Sequence, residues 1–76
     1  MFSKLSPRET EVLRLIAYEY TAKDIAKALF ISNHTANSHR KNLLIKLSAK
    51  NTAGLVRRAF EQGILTFSHE QNIPTS

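Results

Sequence analysis

The stretch Ile25-Ala26-Lys27-Ala28-Leu29-Phe30-Ile31-Ser32-Asn33-His34-Thr35-Ala36-Asn37-Ser38-His39-Arg40-Lys41-Asn42-Leu43-Leu44-Ile45-Lys46-Leu47 decides how this chain folds. From Asn33 onward it has no proline or glycine until Gly54, and Ser32 stands where a hydroxyl can cap a helix by accepting from the Thr35 amide. Ala36, Leu43 and Leu47 recur at seven- and four-residue steps and mark an inward face, with Arg40 near its edge. Asn33, His34, Asn37, Ser38 and Lys41 fall on the outer side and give it amides, a hydroxyl and a cation. Just upstream, Thr21-Ala22-Lys23-Asp24 is a capping box opening a helix of about eight residues that turns Ile25, Ala26 and Leu29 inward. Phe30, Ile31 and Ser32 are left as the connection. A short capped helix, a tight turn and a longer helix with a polar outer face is the layout of a helix-turn-helix. Ala26 and Ala36 supply the small residues its crossing needs, and Ile31 is expected to plug the turn from below.

Working outward, Ser6-Pro7-Arg8-Glu9 is a second capping box, with proline at the first helical position. The helix it starts carries an inward stripe of Val12, Leu13, Ile16, Ala17 and Tyr20, with Leu15 off the stripe. Tyr18 and Tyr20 are expected to cap the core, because a tyrosine at the end of an amphipathic helix buries its ring and keeps its hydroxyl wet. On the other side, Asn51 can cap a fourth helix from Thr52 to Gln62, closed by Gly63 in a left-handed conformation. Nowhere do apolar and polar residues alternate between turn signals as a strand requires. The expected fold is therefore all-α, a four-helix bundle containing a helix-turn-helix, with the domain at 1–65 and a flexible tail at 66–76.

Seventy-six residues make a single small domain. With no cysteine, disulfides, thiolate zinc sites and cysteine nucleophiles are excluded. His34 and His39 lie five apart, not the three or four that bring two imidazoles to one face, so no metal or other cofactor is expected. The longest apolar run, Ala28 to Ile31, is far too short to span a bilayer, and a cytoplasmic location is expected. The charge is the most telling quantity. Eleven Lys and Arg against six Asp and Glu give +5, and from Ile25 to Phe60 no acid interrupts Lys27, Arg40, Lys41, Lys46, Lys50, Arg57 and Arg58. Such a segregated basic half is the footprint of a polyanion binder. Catalysis finds no phosphate loop, nucleophile arrangement or carboxylate pair here, so an enzyme is not expected.

The ordered series Leu5-Ser6-Pro7-Arg8-Glu9, Val12-Leu13, Lys23-Asp24-Ile25-Ala26, Leu29-Phe30-Ile31-Ser32, Thr35, His39-Arg40, Lys46-Leu47 and Lys50-Asn51 resembles the DNA-binding domain of LuxR/FixJ-type response regulators and their stand-alone relatives. The resemblance covers Leu5 to Leu65. It implies a LuxR-type effector domain for sequence-specific double-stranded DNA binding and transcriptional regulation, with the third helix as recognition helix and the fourth pairing two copies on DNA. Position by position, it implies that Asn37, Ser38 and Lys41 read bases and that Lys27, Thr35, Arg40 and Lys46 meet the DNA backbone. For the homodimer contact, Ala53, Val56, Arg57 and Phe60 recur at three- and four-residue steps on the fourth helix. The chain departs from the family pattern at Glu19 and Ser48, where glycine is frequent, at Ala36, where valine is common, and at Asn37, where a basic residue is frequent. RNA polymerase and an N-terminal receiver or sensor domain outside this sequence are further expected partners. The alternative is a small basic helical adaptor for an acidic protein, which would need an apolar anchor row on the Asn33 to Lys41 face.

Overall fold

A side-chain cap starts every one of the four helices in the computed structural model, which describes residues 5–66. They are α1 (Pro7–Ala17), α2 (Ala22–Leu29), α3 (Asn33–Lys46) and α4 (Thr52–Glu61), and no strand occurs among the described residues. Both capping boxes close. Ser6 Oγ accepts from the Glu9 amide at 3.1 Å while Glu9 Oε1 accepts from the Ser6 amide at 2.9 Å. Thr21 and Asp24 repeat the exchange at 3.1 and 3.0 Å. Ser32 Oγ accepts from the Thr35 amide at 3.0 Å, and Asn51 Oδ1 from the Gly54 amide at 2.9 Å. Each cap contributes about 1 kcal/mol by satisfying a donor the helix itself cannot. The tail expected beyond Leu65 lies, from residue 67 on, outside the described residues.

All four helices also end alike. Glu19, Phe30, Ser48 and Gly63 have φ of 70°, 58°, 55° and 77°. Directly after each, an amide reaches five residues back: Tyr20 to the Leu15 carbonyl, Ile31 to Ala26, Ala49 to Leu44 and Ile64 to Ala59, at 2.9 to 3.1 Å. This is the Schellman closure, in which one left-handed residue turns the chain so that the next returns toward the helix flank. Ile31, Ala49 and Ile64 accordingly pack against the core. Only Gly63 among the four lacks a Cβ and adopts this conformation without strain.

The core gathers Val12, Leu13 and Ile16 of α1, Ile25 and Ala26 of α2, Ala36 and Leu43 of α3, Leu55 and Ala59 of α4, and Leu47 and Leu65 just beyond their helices. α3 packs on all three other helices, which fixes its inner side and leaves its outer side to solvent. Burial of Ala26 and Ala36 agrees with small residues at the helix crossing. Two expectations are corrected. Tyr18 and Tyr20 do not cap the core: they are 73% and 41% exposed, because Tyr18, two residues after Ile16, points off the stripe, and the left-handed Glu19 turns Tyr20 out of the helical path. Leu15, expected off the stripe, is half-buried and packs against the core.

Candidate nucleic-acid interface

The outer side of α3 is a continuous exposed surface of Asn33, His34, Asn37, Lys41, Asn42 and Ile45, with Ser38 half-buried among them. The first turn of α3 holds no acidic residue, so the positive end of the helix dipole is not neutralised there. Asn37 and Lys41 lie four residues apart, one turn, and so project from neighbouring levels of one face. Ser38, Asn37 and Lys41 thus share the surface that the sequence assigned to bases.

Around that face, the hydroxyls and cations differ in what already holds them. Ser32 Oγ donates to Thr35 Oγ1 at 2.9 Å, which leaves the Thr35 hydroxyl proton available to an outside acceptor. The Asp24 carboxyl is held below its usual range, first by the hydrogen bond it accepts from the Thr21 amide and to a smaller extent by Lys27, which is exposed on α2. Arg40 is half-buried, and its Nη2 donates to Thr52 Oγ1 at 3.1 Å across the α3 to α4 seam. Among the described residues no carboxylate pairs with it.

Lys46 is in another situation. Its Nζ lies 2.8 Å from Glu9 Oε1, and Glu9 is only 7% exposed. The same carboxylate therefore closes the α1 cap and binds the last turn of α3. Its pKa is held below the usual value, first by the hydrogen bond from Lys46 and then by the Ser6 amide, against burial, which raises it. Lys46, expected on the DNA backbone, is half-buried and already paired with a carboxylate of the protein itself. Arg57 is likewise paired, its Nε donating to Glu61 Oε2 at 3.0 Å on the exposed flank of α4. Of the basic half, Lys27, Arg40, Lys41, Lys50 and Arg58 have no such partner among the described residues.

On α4, Leu55 and Ala59 take the core positions. Ala53 and Arg57 are exposed, whereas Val56 and Phe60 are half-buried and pack against the core. The four residues read as one contact stripe are thus divided, two facing solvent and two at the rim of the bundle. Neither Glu9 nor Thr52 was legible as a partner in the sequence. Glu9 already had a role in its capping box, and Thr52 lies twelve residues from Arg40, a spacing without helical meaning.

Comparison with known proteins bears on what this surface is for. The model of the luxR family of bacterial regulatory proteins, GerE, matches residues 3–59. The transcriptional regulatory protein MctR of Rhizobium johnstonii is 47% identical over 62 residues, covering 82% of this chain and 29% of its own length. The response regulator ChrA of a heme-sensing two-component system superposes with a TM-score of 0.79 at 28% identity, over 83% of this chain and 31% of that one. The transcription factor GerE superposes at 0.77 and 31% identity, over 84% of this chain and 96% of that one. The chain thus spans about a third or less of the full-length regulators it matches and nearly all of GerE. These are regulators of transcription, not enzymes. With the family match over most of its length and the four-helix fold it shares with GerE, the chain belongs to the luxR family of bacterial regulatory proteins, as a DNA-binding helix-turn-helix domain of transcription regulation.

Proposed function

We propose that the chain reads a specific double-stranded sequence with α3 in the major groove, as the effector domain of a response regulator or a stand-alone relative. The binding unit is residues 1–65. Asn37, Ser38 and Lys41 meet base edges, and Lys27, Thr35 and Arg40 meet the sugar-phosphate backbone; Lys46 holds the bundle together through Glu9. Two copies bind paired half-sites through the exposed flank of α4, at Ala53 and Arg57 with Val56 and Phe60 at its rim. The protein acts in the cytoplasm, with RNA polymerase as a partner downstream and a receiver or sensor domain as the source of its signal.

The observation that carries this proposal is the pairing of an exposed amide and lysine on α3 with a half-buried arginine beside them whose charge no described residue neutralises. Short polar groups near the start of a helix suit base edges, and an unpaired cation at the margin suits a phosphate. Selection of bound duplexes from a random pool, under heparin competition, tests it. A half-site containing an adenine and a guanine within a few base pairs is expected. Binding that heparin abolishes without any enriched sequence would point instead to a basic adaptor for an acidic protein.

A further inference from the structure

We propose that Thr52 is a positioning residue for DNA binding: its hydroxyl fixes the Arg40 guanidinium at the seam of α3 and α4, so that the rest of the N–H fork meets a phosphate already oriented. The inference rests on the assignment of Arg40 to the DNA backbone and extends it to the residue that orients the guanidinium.

Three observations support it. First, the Thr52 hydroxyl has no part in capping α4, because Asn51 Oδ1 takes the Gly54 amide; its hydrogen bond is the one from Arg40 Nη2 at 3.1 Å. Second, that bond uses one of the five N–H groups of a guanidinium, and the remainder of the fork keeps the planar geometry that suits a phosphate. Third, Arg40 is half-buried without a carboxylate among the described residues, whereas Lys46 and Arg57, which have one, are neutralised. A partly desolvated cation held by a neutral hydroxyl keeps its full charge for an incoming anion. Anchoring by a carboxylate would have cancelled that charge; anchoring by threonine orients it and leaves it intact. A free arginine must give up rotamer freedom when it binds, and prior orientation removes part of that cost.

The test uses the full 76-residue chain, titrated on a duplex enriched by selection and on a random-sequence duplex of the same length, over a salt series. Thr52→Val keeps the shape and removes the hydroxyl. It is expected to weaken binding to both duplexes by about threefold to tenfold, the effect of one newly mobile long side chain. The salt slope and melting temperature should stay at their wild-type values, and Thr52→Ser should restore affinity. Arg40→Ala should weaken binding further and flatten the slope by about 0.9, one phosphate contact. In the Arg40→Ala background, Thr52→Val should have no additional effect. Arg40→Lys, which keeps the charge but lacks the fork, should resemble Thr52→Val while leaving α4 untouched. Wild-type affinity for Thr52→Val, a loss that persists without Arg40, or a melting drop that accounts for the binding loss would each overturn the inference. An Arg40→Ala variant with unchanged affinity and slope would overturn the phosphate assignment of Arg40 itself.

Discussion

Asn37 stands one turn into α3 with its side chain exposed, where an amide can donate to N7 and accept from N6 of one adenine. Asn37→Ala is expected to relax preference at a single adenine position by about 1 to 3 kcal/mol and to leave the salt slope unchanged, because no charge is lost. Competition binding over the four bases at that position measures it; an equal loss on all four would assign Asn37 to the backbone. Glu9 is the residue whose protonation matters most to the fold. Its folded-state pKa is lowered, so the stability it contributes is present above its usual value of 4.5 and is lost as pH falls through the lower folded value. Glu9→Gln should cost about 1 to 3 kcal/mol at neutral pH, since charge-assisted hydrogen bonds are weakened on both sides. The lead of the wild type over Glu9→Gln should shrink as pH is lowered below the usual carboxyl value of 4.5 and through the lower folded value. Thermal melts of the two proteins across that range decide it, and a constant gap would assign the acid lability elsewhere.

The four helix ends show how far local sequence goes. Every start was legible, because Ser6, Thr21, Ser32 and Asn51 are polar caps with a fixed chemical task. Of the stops, only Gly63 was. Glu19, Phe30 and Ser48 adopt the same left-handed turn without the residue type that announces it, since helix packing here imposes the bend on side chains that oppose it. Resemblance to relatives had marked Glu19 and Ser48 as departures from glycine; the backbone at both has kept a glycine's conformation. Both side chains are exposed, so replacing them loses no packing. Glu19→Gly and Ser48→Gly are each expected to stabilise the fold by about 0.5 to 1 kcal/mol, the strain relieved less the added freedom of the unfolded chain. Denaturant melts test this, and a loss of stability in either would mean the corner draws on its side chain. The exposed polar face of α3 was legible as well, because helical spacing alone separates Asn37 and Lys41 from Ala36 and Leu43. The partners of Lys46 and Arg40 were not, because they arrive from other helices and leave no trace in local spacing.

At the scale of the whole molecule, the seven cations between Ile25 and Phe60 overstate what DNA meets, because Glu9 and Glu61 reach into the basic half and pair with Lys46 and Arg57. The surviving cations lie on α2, α3 and the segment leading through α4. The exposed flank of α4 is where a second copy is proposed to dock, and Ala53 is its smallest element. Ala53→Glu is expected to leave the monomer folded and its single half-site affinity nearly intact, while abolishing cooperative occupancy of two half-sites about one helical turn apart. Footprinting on paired and single sites reads this out, and undiminished cooperativity would refute the flank as interface. The Glu9 to Lys46 bridge has a consequence in time rather than in charge. It joins residues 37 positions apart, linking the first turn of α1 to the last turn of α3 around the whole of α2. A contact that closes so long a loop is expected to form after the local pairing of neighbouring helices, and so to act on the barrier for unfolding more than on the barrier for folding. Lys46→Met, which leaves the α1 cap in place, is expected to refold at nearly the wild-type rate and to unfold faster. In stopped-flow measurements the bridge should therefore behave as a latch that sets the lifetime of the folded domain.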